Sequence, residues 1–596
     1  MSSVNLHLVR KRISNILVIN KKFASVFVII VFVCFFFTPL IIRADSYSPG
    51  GDAMFNAWTI SRNQNCILGD SCQKYSDANI YYPNKNTMLY SEAQLSPSIV
   101  TLPLRLITDN PILIYNFITI ISVCFSAIAM YLLAKKISGN NEAVSILSGL
   151  FFAFAPFKIG AIWHLQNLSI FCLPLAILFI INYIEDKKRK NLLWIFMALL
   201  YSFFASWVQM VIILMGTLTF LIVFYICKKE LRKQIRSVFI VVALSVICTI
   251  PLALQYVNFS KQNNAKFPLS DQVLYSSSVA DYFIPHEGTV VGTIYYLIRK
   301  NAQVNSFNLD GSSYYGLSLF LAGFIVVFIS LLSKRSFSKN KVDKTLVLSL
   351  VCIALLGLIF SLGPYLKLKA GYSYSFSGFS NIKIHMPYYL VDVMFPQLAF
   401  VRAVGRYGAL LLFAICSLFA LLPKALDLKG LDAFKRRTFI ALISAFAVIE
   451  LMPVGQLPMS KLKENYGLKT PTVYEYIKKE KSINDIVILR GDDDYVGAQL
   501  PVARAEDVLW SGYHNRNIFN GYSGYEPKNF MLQYINFINY NKNTKAYLAK
   551  EKLKYIIVDK KLSGPKSKKP KLLEDISKDN IKIFEDSRYV LFKIKY

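Results

Sequence analysis

The stretch "SPGGDAMFNAWTISRNQN", residues 48–65, directly follows an apolar run of about twenty residues. The chain has therefore just left a membrane when it reaches a Gly-Gly pair and the carboxylate of Asp52. Glycine allows a sharp turn here, and Asp is a common helix N-cap. Two interpretations of Asp52 stay open: a cap on a helix that begins at Ala53, or a functional carboxylate held at the membrane surface.

Apolar runs of similar length recur along the chain until about residue 453 and then stop. The 596 residues are 54% hydrophobic and 17% charged, whereas soluble domains carry about 25% charged residues. Because about twenty helical residues cross a bilayer core, the sequence predicts a polytopic α-helical membrane domain over residues 1–453. Eleven transmembrane helices are expected, near 23–43, 111–134, 143–157, 166–184, 191–207, 209–227, 237–256, 314–333, 345–363, 405–422 and 438–453.

The net charge of +31 is concentrated in short connections such as "EDKKRKN" and "CKKELRKQIR", which fall on alternate sides of the predicted spans. By the positive-inside rule, these loops and the N-terminus lie in the cytoplasm. With eleven spans, the C-terminus then lies outside the cytoplasmic membrane. The basic charge therefore reflects membrane topology and contact with membrane lipid, and nucleic-acid binding is not expected.

Residues 44–110, 257–313 and 364–404 form long polar external loops, so chemistry is expected on the outer face. In the first external loop, "DAMFNAWTISRN" and "SEAQLSPSIVTLPLRLI" predict helices along the membrane surface, the second interrupted by its prolines. After residue 453, short helical and strand patterns alternate. They predict an extracytoplasmic α/β domain over 454–596, without a nucleotide-binding motif.

Cys66 and Cys72 share the first external loop, in the segment "CILGDSC". An oxidising exterior favours a disulfide between them. No His accompanies the pair, so a metal site there is not expected.

Several segments resemble the GT-C superfamily of membrane glycosyltransferases, and together they extend over nearly the whole chain. They are "GDAMFNAW", "IYYPNKNTMLYSEAQLSPSIVTLPLRLI", "GLFFAFAPFKIGAIWHLQNLSIFCLPLAIL", "FVRAVGRYGALLL" and "HNRNIFNGYSGYEP". The resemblance implies that Asp52 is the catalytic base. It also implies a polyprenyl-phosphate sugar as the donor, an envelope glycan, lipid or protein as the acceptor, and an inverting transfer at the outer face.

Two further candidates follow from the first half of the chain. Glu92 stands where many relatives have His or Asp, so it could hold a divalent metal such as Mg²⁺ or Mn²⁺ with Asp52, or orient the acceptor. The alternative is a surface Glu on an interfacial helix. His164 lies in a short external turn, where it could bind the donor phosphate or act as an interfacial anchor.

Arg402 and Arg406 lie four residues apart at the outer start of a predicted span, so they are expected to share a helix face. Two cations at a helix N-terminus oppose its dipole, which indicates an anionic partner. A polyprenyl phosphate suits a guanidinium fork. The alternative partners are Asp392 and phospholipid headgroups.

The segment "LWSGYHNRNIFNGYSGYEP", residues 509–527, mixes aromatic, amide and glycine residues. This composition suits contacts to sugar faces and hydroxyls, and it makes candidates of Tyr513, His514, Tyr522 and Tyr525. The same segment could instead be the seam that joins the C-terminal domain to the membrane domain.

Three other functional classes share features with this sequence. A lipid or polysaccharide transporter would need charges within its spans and paired halves, and only Glu450 is a marginal example of such a charge. A non-catalytic envelope-assembly protein could keep the fold and lose the activity. A polysaccharide polymerase or ligase usually places its decisive loop late in the chain, whereas here the first loop is the largest.

Overall fold

The computed structural model describes a helical membrane part and a small C-terminal domain that contains a sheet. The described residues are 23–48, 50–69, 72, 74–160, 162–263, 265, 267–285, 289–298, 313–332, 343–368, 384–394, 401–428, 430–451, 469–490, 500–540, 544–563 and 570–596. The predicted domain boundary after residue 453 lies outside these residues.

Helices occupy the positions of the predicted spans. Six described helices are long and apolar enough to cross a membrane: Pro111–Ser138, Glu142–Gly160, Leu165–Asp186, Trp207–Cys227, Lys344–Ser361 and Val404–Leu428. The pair Lys229–Ile247 and Ile250–Asn263, bent by 51°, adds a seventh if it is one span. Shorter or less apolar helices lie at Phe23–Phe36, Arg189–Ala205, Leu317–Leu332 and Ala433–Leu451. The protein is therefore an integral membrane protein with several spans, and the count of eleven stays a prediction.

The helix within Val404–Leu428 forms the centre of the membrane part, since 94% of its apolar window is buried by protein. It packs against Leu317–Leu332 and Lys344–Ser361. At Gly357, an added Cβ would lie 2.7 Å from the Leu411 backbone nitrogen. Because Gly357 has no side chain, the helix Lys344–Ser361 can approach the helix Gly408–Leu428 this closely.

The first external helix, Gly51–Ile67, is enclosed by protein instead of lying along the membrane surface as predicted. It packs between Pro111–Ser138 and the C-terminal helix Leu500–His514. The polar residues of this helix have protein partners: for example, Asn63 donates to the Ala93 carbonyl at 2.7 Å. A polar helix needs no water-facing side when its neighbours supply such partners.

The chain after this helix behaves as its prolines predict. Two short helices, Leu95–Val100 and Leu102–Arg105, are separated at Thr101. The exposed apolar side chains of the first helix and of the turn after the second would suit a lipid surface; they are Ile99, Val100, Leu106 and Ile107.

The C-terminal domain contains a four-stranded sheet of β1 (Ile486–Leu489), β2 (Tyr555–Asp559), β3 (Ile581–Glu585) and β4 (Tyr589–Lys593), in the order β1-β2-β4-β3. β1 and β2 are parallel, and the other two pairings are antiparallel. The helices that accompany the sheet are Thr472–Lys479, Leu500–His514, Phe530–Asn539, Thr544–Lys550 and Leu572–Asp579.

The first external loop adds an edge to this sheet. The Tyr81 N–H donates to the Asn520 carbonyl at 3.0 Å, and the Ile518 N–H donates to the Asn79 carbonyl at 2.8 Å. Ile518 in turn bridges to Ile486 of β1. The loop and the C-terminal domain consequently share one hydrophobic core.

Candidate active site

Asp52 is the second residue of the first external helix. Gly50 precedes that helix with φ of 139°, a backbone conformation that favours glycine. No side chain caps the helix start, and the helix begins at Gly51, so the structure does not use Asp52 as the N-cap. The Asp52 carboxylate turns instead towards two residues from distant parts of the chain.

Those two residues are Tyr522 and His164. The Tyr522 hydroxyl donates to Asp52 Oδ1 at 2.7 Å, and His164 Nδ1 lies 3.3 Å from Asp52 Oδ2. The Asp52 side chain remains 46% exposed. Because each carboxylate oxygen has a second lone pair, a hydroxyl from solvent can still donate to Asp52.

The turn that carries His164 is tied to the helix that carries Asp52. The Trp163 carbonyl accepts hydrogen bonds from the Tyr115 hydroxyl at 2.7 Å and from Asn56 Nδ2 at 3.2 Å. Asn56 follows Asp52 by four residues and so lies on the same helix face. That spacing is a sequence signal for Asn56 alone, since Tyr115 lies in another helix, and neither residue was predicted as part of the site.

Tyr522 is held in its protonated form. Burial raises the pKa of Tyr522 well above its ordinary value, and the negative charge of Asp52 raises this pKa further. The positive charge of Arg402 acts in the opposite direction on this pKa, so Arg402 lies within electrostatic reach of the Tyr522 hydroxyl.

Arg402 is a half-buried cation with aromatic neighbours. Its guanidinium lies 4.8 Å from the centre of the Tyr275 ring and 5.3 Å from that of Phe267. Within the described part of the chain, no carboxylate forms an ion pair with Arg402. The alternative partner Asp392 accepts a hydrogen bond from Gln272 at 3.0 Å instead.

Arg402 and Arg406 do not share the predicted helix face. A 3-10 helix covers Val404–Tyr407, and the α-helix begins only at Gly408. Ala403 has a non-helical backbone with ψ of 78°, which places Arg402 outside the helix. The prediction that the two arginines share a helix face is therefore wrong. The contacts with Tyr275 and Phe267 are made by Arg402.

Glu92 lies at the start of the helix Trp207–Cys227. Its Oε1 accepts from the Ser206 hydroxyl at 2.5 Å and lies 3.4 Å from the Val208 backbone nitrogen. A negative charge there is favoured by the helix dipole. Among the residues that the structure describes, no group of three or more His, Cys, Asp or Glu could hold a metal ion. Metal or acceptor binding by Glu92 stays a prediction.

The other residues predicted to contact sugar pack within the seam. The Lys478 ammonium lies 4.0 Å from the centre of the Tyr513 ring. His514 is 2% exposed and stacks on Tyr474, so its ring has no open face for a sugar; burial also lowers the pKa of His514 to about 3. Tyr525 packs between aromatic rings of the first external loop and of the bent helix pair. Residues 509–527 therefore form the seam, from which Tyr522 reaches Asp52.

Cys66 and Cys72 form the expected disulfide at the end of the first external helix. Arg62, one turn earlier, donates to Cys66 Sγ at 2.8 Å and to the Asp77 carbonyl at 2.9 Å. These contacts fix the far end of the helix that presents Asp52.

Comparison with known proteins gives a family and a set of similar structures. A family model described as a domain of unknown function (DUF6311) matches residues 75–448, more than half of the chain, so the protein belongs to that family. No curated protein sequence matches it.

The oligosaccharyltransferase of Archaeoglobus fulgidus in its apo form is 13% identical, with a TM-score of 0.48 over 94% of this chain and 73% of that chain. The same enzyme, AglB, in complex with an inhibitory peptide and a dolichol-phosphate is 12% identical, with a TM-score of 0.43 over 90% and 69%. ArnT from Cupriavidus metallidurans bound to undecaprenyl phosphate is 10% identical, with a TM-score of 0.46 over 94% and 97%.

Proposed function

We propose that the protein is a membrane glycosyltransferase that moves a sugar from a polyprenyl-phosphate donor to an envelope glycan, lipid or protein acceptor. The reaction takes place at the outer face of the cytoplasmic membrane, and the C-terminal domain lies outside. The observation that supports this proposal is that a partly exposed carboxylate, Asp52, and a cation, Arg402, both act on the Tyr522 hydroxyl. Arg402 forms no ion pair with any described carboxylate.

Asp52 acts as the general base in this proposal. Its carboxylate takes the proton of the acceptor hydroxyl while that oxygen attacks the anomeric carbon of the donor sugar. The bond from the anomeric carbon to the phosphate oxygen breaks, and the phosphate keeps the electron pair. A single displacement of this kind inverts the configuration at the anomeric carbon.

Arg402 stabilises the negative charge that develops on the leaving polyprenyl phosphate. Two aromatic rings fix the plane of the guanidinium, so it can present two N–H groups to two phosphate oxygens without first becoming ordered. His164 orients the Asp52 carboxylate from the side opposite Tyr522. A role for Arg406 or His164 in binding the donor stays part of the proposal.

A divalent metal such as Mg²⁺ or Mn²⁺, held by Asp52 with Glu92, also stays a proposal. Treating the purified protein with EDTA and restoring Mg²⁺ or Mn²⁺ measures it. If a metal serves the reaction, turnover falls with EDTA and returns with the ion. Turnover that is insensitive to EDTA would reject the metal and leave the general-base mechanism in place.

A transporter is the second candidate, and Lys158 is the observation that favours it. This lysine is 2% exposed within a candidate span and donates to the Ser126 hydroxyl at 2.7 Å. Buried cations in spans often mark transport pathways. Glu450 does not add to that case, because its carboxylate accepts from the Tyr314 hydroxyl and the Ser318 N–H at the start of another helix.

The deciding experiment measures envelope glycan composition in a strain that lacks the gene and carries one complementing variant at a time. Wild type should restore the missing sugar and Asp52→Asn should not, because general-base catalysis contributes about 10²–10⁴-fold to the rate. Asp45→Asn is the matched control, since Asp45 is an exposed carboxylate of the same loop. Equal amounts of each variant in the membrane are confirmed by immunoblot.

The same strains separate the alternatives. Restoration of the sugar by Asp52→Asn would reject the catalytic role of Asp52. If Lys158→Met then fails to restore it, transport is favoured. If Lys158→Met also restores it, a non-catalytic assembly role is favoured.

A further inference from the structure

The turn that carries Tyr522 is clamped on both sides by one side chain, Arg504. Arg504 Nε donates to the Gly521 carbonyl at 2.9 Å, and Nη2 donates to Glu526 Oε2 at 2.5 Å. The guanidinium also lies 4.9 Å from the centre of the Phe530 ring. Since Arg504 is 7% exposed, this clamp is part of the interior of the C-terminal domain.

The first external loop contacts the same turn, and its Tyr81 hydroxyl also accepts a hydrogen bond from Arg504 at 3.4 Å. An added Cβ on Gly521 would lie 2.3 Å from the Tyr81 ring, and the Tyr525 N–H donates to the Tyr90 carbonyl at 3.1 Å. The turn is therefore held between the two regions. The Tyr522 side chain leaves it towards Asp52 and meets the Phe55 ring edge-on at 5.9 Å.

We propose that the C-terminal domain completes the catalytic site: the Tyr522 hydroxyl orients the Asp52 carboxylate, and Arg504 is the positioning residue that holds Tyr522 in place. This inference rests on the proposed glycosyl transfer. Tyr522 donates one hydrogen bond to Oδ1 and keeps its proton throughout, because Asp52 alone accepts the proton of the acceptor. Oδ1 is thereby fixed while lone pairs on the carboxylate stay open to the acceptor hydroxyl.

The first test is Tyr522→Phe in a turnover assay with the donor and acceptor that the glycan analysis identifies. We expect kcat to fall about 10- to 100-fold, as for the loss of a hydrogen bond to a charged group, with KM nearly unchanged. A rise in KM with kcat unchanged would overturn the inference and make Tyr522 a sugar contact. Unchanged kinetics would also overturn it.

Tyr540→Phe is the matched control. The Tyr540 hydroxyl also donates to a carboxylate of the C-terminal domain, Asp579, at 3.4 Å, and it accepts from Asn580 at 2.7 Å. Because the hydrogen-bond partners of the Tyr540 hydroxyl are Asp579 and Asn580 and not Asp52, Tyr540→Phe should keep kcat within about twofold of wild type. A loss of kcat equal to that of Tyr522→Phe would overturn a specific role for Tyr522.

Arg504→Lys tests the positioning residue and keeps its charge and aliphatic stem. Lysine cannot hold the Gly521 carbonyl and Glu526 together, so we expect the same type of loss, in kcat and with little change in KM. Because Arg504 acts through Tyr522, the double variant Arg504→Lys/Tyr522→Phe should lose no more than Tyr522→Phe alone. Additive losses would mean that Arg504 acts by another route, which contradicts the inference.

A measurement without turnover keeps this inference separate from the proposed function. A water-soluble carbodiimide modifies accessible carboxyl groups, and in the wild-type protein the Tyr522 hydroxyl covers Oδ1 of Asp52 at 2.7 Å. Labelling of the Asp52 peptide, quantified by mass spectrometry, should rise severalfold in Tyr522→Phe and stay at the wild-type level in Tyr540→Phe. If Asp52→Asn abolishes activity but labelling of Asp52 is unchanged in Tyr522→Phe, this inference alone is rejected. If labelling of Asp52 rises in Tyr522→Phe but Asp52→Asn keeps its activity, the contact is supported and the proposed function is rejected.

Discussion

Two groups of charged residues in the external part of the molecule use the same side-chain chemistry in opposite ways. In the C-terminal domain, Arg490 is 1% exposed and contacts Glu506 at 2.9 Å and Asp507 at 2.6 Å. Asn520 adds a hydrogen bond to Asp507 at 3.1 Å. Asp52, in contrast, is 46% exposed and touches one hydroxyl and one imidazole.

The difference separates structural charges from available ones. Arg490 and Asp507 are fully buried and Glu506 is 14% exposed, and their charges are already compensated within the domain. Asp52 and Arg402 lie within electrostatic reach of one Tyr522 hydroxyl without forming an ion pair with each other. A polar substrate needs oriented charges with lone pairs or N–H groups that are still available. In a closed cluster these groups already bind one another.

The largest expected effect is on stability and belongs to the closed group. Arg490→Gln removes the cation that contacts the fully buried Asp507 carboxylate and should lower the free energy of unfolding by about 3–5 kcal/mol. Thermal unfolding of the purified protein in detergent measures this loss. Asp52→Asn should stay within about 0.5 kcal/mol of wild type, because its side chain is half exposed.

Arg436→Gln is the control for the loss of an arginine. Arg436 pairs with Asp427 at the surface, and surface ion pairs contribute about 0–1 kcal/mol. If Arg490→Gln were no more destabilising than Arg436→Gln, the distinction between a closed structural group and an open site would fail.

The next effect is a pH dependence of the free energy of unfolding that comes from one residue of the seam, His514. The pKa of His514 is about 3 in the folded protein because the ring is buried, against an ordinary value of 6.5. Between these two values the unfolded chain binds a proton that the folded protein does not. The free energy of unfolding therefore falls by about 1.4 kcal/mol per pH unit as the pH drops below 6.5.

Denaturant unfolding at pH 7 and pH 5 measures this dependence. Wild type should lose about 2 kcal/mol from this residue between the two pH values. His514→Asn should lose correspondingly less stability, because an amide side chain does not take up a proton between pH 7 and pH 5. Its oxygen can still accept from the Arg516 N–H, as Nδ1 does at 3.1 Å. His385→Asn, at an exposed position, should follow wild type. An unchanged slope in His514→Asn would show that His514 is not buried as a neutral ring.

The smallest expected effect is on donor binding by Arg402. Arg402→Lys keeps the charge and loses the planar group that stacks on Tyr275 and Phe267. We expect KM for the lipid-phosphate donor to rise about tenfold, or about 1.4 kcal/mol, with the acceptor KM unchanged. Steady-state kinetics at varied donor concentration measure this, with Arg436→Lys as the control. Equal effects on both KM values would contradict a site for the donor phosphate.

Much of the fold could be predicted because its cause is local. About twenty apolar residues form a spanning helix wherever they occur, and alternating short patterns after residue 453 indicate an α/β domain. The first external helix shows the limit of such patterns. Its presence was predicted, but its surroundings were not, since periodicity does not reveal whether a neighbouring surface is lipid or protein.

The candidate site divides in the same way. The sequence by itself determined the residue types and predicts their side of the membrane: a carboxylate at the turn after the first span, a histidine between two spans, and a cation before another span. Only the tertiary structure decided which of them meet. Asp52 and Tyr522 are 470 residues apart in the chain, and their contact depends on the first loop joining the sheet of the C-terminal domain. The backbone at Ala403 likewise separated Arg402 from Arg406, because spacing defines a shared face only where the chain is helical.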